Sequence, residues 1–273
     1  MKRFLVIARV GDNSLHPYWL ENAEPHFDLF LSYFGDKPEY YRVQADYYEQ
    51  VKGGKWPMIH QLIEKNWELI SQYEAVWLPD DDIMTDACNI NKMFTLFDSF
   101  HLALAQPALT MNSYFSHSSL LQQPNSILRF CNFVEVMMPM FSADTLRSLK
   151  ATFGQSSSGW GLDSLWPYLI DNKNYKKIAI IDTISVTHTR PVGGELYKLN
   201  PELSPKKDAQ QLQTLYPQFN ISRRYSPNKF KVFCQISISR LNTSLIASIK
   251  GKLQRIFSKY KAKTHPKYPQ VRS

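Results

Sequence analysis

A short apolar run that ends in three carboxylates constrains this chain most. It reads Ala75-Val76-Trp77-Leu78-Pro79-Asp80-Asp81-Asp82. Ala75 to Leu78 has the length and bulk of a buried strand end. Three successive aspartates at its carboxyl end repel one another. They either splay into water and cap the next helix, or hold a cation. In open α/β sheets ligands collect beyond the carboxyl ends of strands, so the stretch is a candidate divalent-metal site. If the backbone stays extended, Asp80 and Asp82 share a side and Asp81 faces away. Oxygen ligands of this kind suit Mn²⁺ or Mg²⁺.

The flanking pattern predicts an α/β layered fold. Phe4–Val10 and Phe27–Phe34 read as strands, closed by Gly11-Asp12-Asn13-Ser14 and Gly35-Asp36-Lys37-Pro38. The aromatic stretch Tyr40 to Tyr48 has no clean period and reads as a loop or a short helix. Ile59, Leu62, Ile63, Trp67 and Ile70 share one helical face behind Pro57, which suits a first turn. Asp86 to about Leu104 reads as a helix ended by Pro107, with a strand resuming at Ala108. Residues 127–136 read as extended, and Ser142 as the N-cap of a helix reaching Phe153. Lys177–Asp182 and Ser185–His188 read as two further strands. Alternating strands and helices predict a mixed, mostly parallel sheet flanked by helices. No repeat at solenoid period occurs.

Charge divides the chain. From Ile221 to Ser273 there are 13 Lys and Arg and no acid, leaving 19 basic and 24 acidic residues before them; the net charge of +8 therefore belongs to the tail. Four prolines between 200 and 228 mark an arm. Beyond it Ile238, Leu241, Leu245, Ile249, Leu253, Ile256 and Tyr260 step by three or four, with lysines between. That spacing predicts a basic amphipathic helix. The expected division is a catalytic domain over 1–195, an arm over 196–235 and the basic helix and tail over 236–273. The tail over 238–263 suits an anionic membrane surface, or a helix packed on protein. It has few aromatics for base stacking, which argues against nucleic acid. No run reaches the ~18 apolar residues of a membrane span. Three widely spaced cysteines predict no disulfide framework and a reducing, cytoplasmic compartment, with peripheral attachment at the inner face of the membrane.

Three more features carry candidate chemistry. His188 ends an apolar strand, as a structural histidine or as a third metal ligand. Trp160-Gly161-Leu162-Asp163 follows a Gly/Ser loop: Asp163 is an N-cap or a general base, Gly161 permits close backbone approach, and Trp160 offers a flat face to an acceptor sugar. Lys52-Gly53-Gly54-Lys55 places glycine amides and lysines before a helix, a turn that can cradle phosphate. It is no Walker A loop, because Glu49 and Trp56 stand where glycine and Ser/Thr are needed.

Together these pieces resemble the GT-A fold of nucleotide-sugar glycosyltransferases. As an ordered series, Val10-Gly11-Asp12-Asn13-Ser14-Leu15-His16, Leu31-Ser32-Tyr33-Phe34-Gly35, Lys52-Gly53-Gly54-Lys55-Trp56 and Gly159-Trp160-Gly161-Leu162-Asp163 are similar to the domain-of-unknown-function family numbered 707. The resemblance covers residues 1–195. It implies a DxD motif at Asp80 and Asp82 that, with His188, holds Mn²⁺ or Mg²⁺ against the donor diphosphate. It implies Asp163 as the base of an inverting transfer to a glycan or lipid-linked acceptor. Asp81 would meet the ribose, and Asp28 or Asp46 the nucleobase. Leu162 stands where many inverting members carry a second acid, which leaves the base and the stereochemistry open. A nucleotidyl- or phosphoryl-transferring enzyme on a similar sheet, and a non-catalytic glycan- or membrane-binding protein, are the alternatives.

Overall fold

The computed structural model describes residues 1–170, 176–192, 204–221 and 230–237. The amphipathic segment expected from 238 onward lies outside these residues. The first half of the chain builds a parallel sheet from β1 (Phe4–Val10), β2 (Phe27–Tyr33), β3 (Tyr47–Gln50) and β4 (Ala75–Trp77). Later strands extend it: β6 (Leu104–Leu109), β7 (Ser126–Cys131), β8 (Met140–Ser142), β9 (Ile178–His188) and β10 (Val232–Ser237). The order is β10-β7-β9-β6-β8-β4-β1-β2-β3, and the short β5 (Ile83–Met84) pairs antiparallel with β9. The sheet is thus parallel through its first four strands and mixed beyond.

Helices cover both faces. Val76 and Phe141 are cross-strand neighbours and share a face. There α1 (Lys55–Lys65), α4 (Ala143–Phe153) and α5 (Leu162–Leu169) bring Trp56, Phe153 and Trp166 against Phe141. Trp77 points the other way, as strand alternation requires. On that face Trp19 lies against Trp77, and α3 (Ala87–Ser99) stacks Phe94 on Phe4. Ser142 caps α4 by accepting from the Thr145 amide, and Asp86 caps α3 through the Asn89 amide.

Several sequence expectations are corrected. Tyr47–Gln50 is an edge strand, not a loop; its polar, half-exposed residues hide the period. The helix expected over 59–70 breaks at Asn66, whose side chain takes the Leu62 carbonyl, and a short α2 (Trp67–Ile70) follows. The helix after Asp86 ends at Ser99, and Pro107 sits inside β6. Proline is tolerated there because the register shifts between Pro107 and Ala108, and β8 pairs only with Leu104 and Ala105. The two expected strands over 177–188 are one strand with a bulge opposite that proline. Inside the bulge Asp182 forms a buried bidentate pair with Arg129, at 2.8 and 2.9 Å.

Within the arm expected over 196–235, residues 205–215 form a helix that packs on the core. Pro205 occupies the first turn of α6 (Pro205–Leu215), a position that needs no amide donor. Leu212 and Ile221 are fully buried in the common core. No helix among the described residues is long and apolar enough to cross a membrane.

Candidate metal and transfer site

The aspartate turn leaves β4 at the carboxyl edge of the parallel strands, and backbone pairing brings His188 to it. Ile83 in β5 pairs with His188 in β9, and Thr189 donates both its amide and its hydroxyl to the Asp82 carbonyl at 3.1 and 2.9 Å. This short ladder joins residues over a hundred positions apart.

Each carboxylate has its own partner, which answers the repulsion problem. Asp80 accepts from Lys55 Nζ at 2.6 Å. Asp81 turns toward the loop after β1, where its carboxylate accepts from the Gly11 amide at 2.9 Å and pairs with Arg190 at 3.1 Å. Asp82 lies 3.1 Å from His188 Nε2. One ligand atom each from Asp80, Asp82 and His188 fall within 4.8 Å of one another. The His188 Nδ1–H donates to the Tyr114 carbonyl at 2.9 Å, which leaves Nε2 for the carboxylates or a cation. Burial pushes this imidazole's pKa down, but the bond and charge of Asp82 outweigh burial and raise it to about 9. Asp82 Oδ1 is buried without a partner. An orphaned carboxylate oxygen beside a second carboxylate and an oriented imidazole fits a divalent cation.

Lys55, expected from the sequence to meet phosphate, is engaged within the protein. Its ammonium bonds to Asp80 and to the Leu78, Val136 and Met137 carbonyls, so its three protons are taken. It fastens the aspartate turn instead. Lys52 pairs with Asp36 on the surface at 2.8 Å. The glycine turn itself reaches the site. The buried Arg9 draws it in by donating to the Val51 and Gly53 carbonyls at 2.9 and 2.7 Å, and Gly54 caps α1. Burial lowers the Arg9 pKa to about 10.

Asp28 and Asp46 are not brought to the cluster. Asp28 pairs in register with Leu5, and Asp46 brackets Leu29, accepting its amide at 2.8 Å. Gly11, which touches Asp81, lies six strand residues beyond Leu5, about 20 Å along the sheet. Both acids sit toward the amino ends of the strands, where Asp28 accepts from the Tyr73 hydroxyl at 2.7 Å. A sequence shows that an acid lies on a strand, not which end faces the ligand.

Asp163 sits in the first turn of α5, 5% exposed, behind Gly161, which has a φ of +92°. Its Oδ1 is buried without a partner. Burial raises its pKa to about 7, with His117 opposing and Glu135 adding. Trp160 is half-buried beside it. Sequence reasoning missed Glu135, the single acid in the apolar run Phe133–Met140. Its Oε2 is also buried and unpartnered, and burial raises its pKa to about 7, with Ser116 and His188 opposing. The charges of Asp80, His188 and Lys55 act on Glu135, and Glu135 acts on Asp163, so one field links the metal cluster to the Asp163 turn.

With this geometry in place, the chain can be set beside solved structures. S. aureus TarS aligns with a TM-score of 0.52 at 13% identity, over 98% of this chain and 54% of TarS. Its portion 1–349 aligns at 0.50 and 13% identity, over 94% of this chain and 81% of that one. The same portion in complex with UDP-GlcNAc aligns at 0.49 and 13% identity, over 94% and 79%. The fold is GT-A-like. At this identity the likeness concerns architecture and not substrate, and this chain spans about half the length of TarS. No protein-family model and no curated protein matches the sequence, so membership of the family numbered 707 is not shown.

Proposed function

We propose that this protein is a metal-dependent, inverting glycosyltransferase that moves a sugar from a nucleotide-sugar donor to a hydroxyl of a glycan or lipid-linked acceptor. The observation that carries the reading is the Asp80–Asp82–His188 cluster on a GT-A-like sheet, together with a separate desolvated carboxylate at Asp163. A Mn²⁺ or Mg²⁺ ion held by the three side chains would offset the charge of a leaving nucleoside diphosphate. Lys55 keeps Asp80 in place for that role. Asp81, tied to Gly11, stands at the carboxyl end of β1, where a ribose would meet it. The glycine turn at Gly53 and Gly54 supplies the backbone approach for phosphate.

Asp163 takes the proton of the acceptor hydroxyl as it attacks the anomeric carbon from the face opposite the leaving group. A pKa near 7 suits a general base at neutral pH. Trp160 bounds the acceptor side. The nine basic and no acidic residues after Ser237 support an acceptor presented at an anionic membrane surface. Co-sedimentation with phosphatidylglycerol vesicles, compared with neutral ones, checks that placement.

Thermal melting with UDP, GDP, CMP and TDP, each with and without Mn²⁺, is the direct test. At least one nucleotide should raise the melting temperature only with the metal, and Asp82→Asn should reduce the effect. Donor turnover should then release a nucleoside diphosphate; release of pyrophosphate would favour nucleotidyl transfer instead. Stabilisation by a glycan without metal or nucleotide would make the protein a binding module.

A further inference from the structure

We propose that α6 is part of the active site and that Asp208 is a positioning residue for the Asp163 turn. The inference rests on the transfer reading above. Residues 155–161 form a Gly/Ser loop that by composition has little to hold it, and Gly159 and Gly161 both take left-handed φ values, +82° and +92°. Glycine there has wide conformational freedom. A base must nevertheless sit within a fraction of an ångström of its productive place, because about 1 Å of error costs on the order of a hundredfold in rate.

Segment 204–221 supplies the missing constraint at three points. Asp208, 9% exposed, accepts from the Ser158 amide at 2.7 Å, the Ser158 hydroxyl at 2.5 Å and the Ser156 hydroxyl at 3.3 Å through a single oxygen. Tyr216, just past the helix, donates to the Gln155 side chain at 2.9 Å. Between these anchors the helix covers Gly161: a Cβ there would stand 2.8 Å from Leu212 and 3.5 Å from both Ala209 and Ile221. The opposite side of the turn is closed by α1, since a Cβ on Gly159 would stand 2.3 Å from Trp56. That tryptophan follows Lys55, which holds Asp80. The base turn is therefore clamped between the helix that fixes the metal turn and a helix beyond the alternating α/β pattern.

Asp208→Asn keeps the side-chain volume but weakens the acceptor, and Tyr216→Phe removes the second anchor without creating a cavity. In the full chain, hydrogen exchange of the amides over 156–165 should rise about tenfold or more in Asp208→Asn, with β1 unchanged. Sugar transfer in the same variant should show kcat down about tenfold to a hundredfold with the donor KM held within about twofold. Tyr216→Phe should follow in the same direction by less. Unchanged exchange over 156–165 overturns the proposal, as does an unchanged kcat, or a donor KM that rises in step with the fall in kcat. If the wild type transfers no sugar, the transfer reading falls, and the exchange arm decides whether Asp208 fixes this turn.

Discussion

The aspartate turn and the Asp163 turn hold their carboxylates differently. At Asp80–Asp82 every carboxylate is matched by a cation or an amide: Lys55, Gly11 with Arg190, and His188. Asp163 stands alone in the first turn of α5, where burial raises its pKa to about 7; a buried oxygen without a partner occurs at both turns, on Asp82 and on Asp163. Two clustered carboxylates beside an oriented imidazole can hold a cation. A single desolvated one with a pKa near 7 can exchange its proton near neutral pH. On the proposed reading, metal binding belongs to the first turn and proton transfer to the second.

The sharpest way to break this comparison is to remove charge from each turn in turn. Asp82→Asn is expected to weaken metal-dependent nucleotide binding by about tenfold to a hundredfold and to lower transfer by roughly a hundred- to a thousandfold, read by donor turnover. Asp163→Asn should lower kcat by about a hundred- to ten-thousandfold while leaving nucleotide affinity near that of the wild type. If both variants lose nucleotide binding equally, the division of labour fails.

Stability sharpens the same contrast. The folded Asp163 carboxyl keeps its proton to about pH 7, against an ordinary value of 3.8, so the folded state binds more protons between those limits. Its contribution therefore falls as pH rises across that window. Asp163→Asn should raise the melting temperature at pH above 7, by an effect on the order of a few kcal/mol, even as activity is lost. His188 adds a slope of the same sign over a higher pH window in the metal-free protein. Its pKa is raised from 6.5 to about 9, so its contribution is complete below the lower value and lost as pH rises through the upper one. Metal must displace that proton, so Mn²⁺ affinity should fall with decreasing pH below about 9, by up to about tenfold per pH unit. Calorimetric melting and metal titration over a pH series check both signs.

The smallest expected effect lies outside both turns. Lys52→Ala removes only an exposed pair with Asp36, worth about 0–1 kcal/mol, and should leave donor KM unchanged.

What was legible in the sequence follows the reach of local pattern. β1 is readable to the residue because Phe4–Val10 is apolar but for Arg9 and is buried on both faces. The aspartate turn, the Ser142 cap and the start of α5 are readable because caps and strand ends are local chemistry. β3 is not, since an edge strand need not be apolar. β9 appears split because Asp182 interrupts it, and that acid is explained only by Arg129, 53 residues away. The same limit hides the site's wiring. Lys55 reads as a phosphate lysine until its carbonyl ligands are seen, and α6 reads as an arm because Asp208 acquires meaning only against Ser156 and Ser158. His188 was legible as a strand-end histidine, but its meeting with Asp82 depends on the β5–β9 pairing.

The central claim is that Asp80, Asp82 and His188 hold a divalent cation for a nucleotide. Titrating Mn²⁺ into the protein with UDP present, followed by the loss of the free-ion electron paramagnetic resonance signal, tests it most directly. The account predicts one bound ion in the wild type and in Asp163→Asn, with affinity lowered by about tenfold to a hundredfold in Asp82→Asn and in His188→Ala. Equal Mn²⁺ affinity in the wild type, Asp82→Asn and His188→Ala would contradict it.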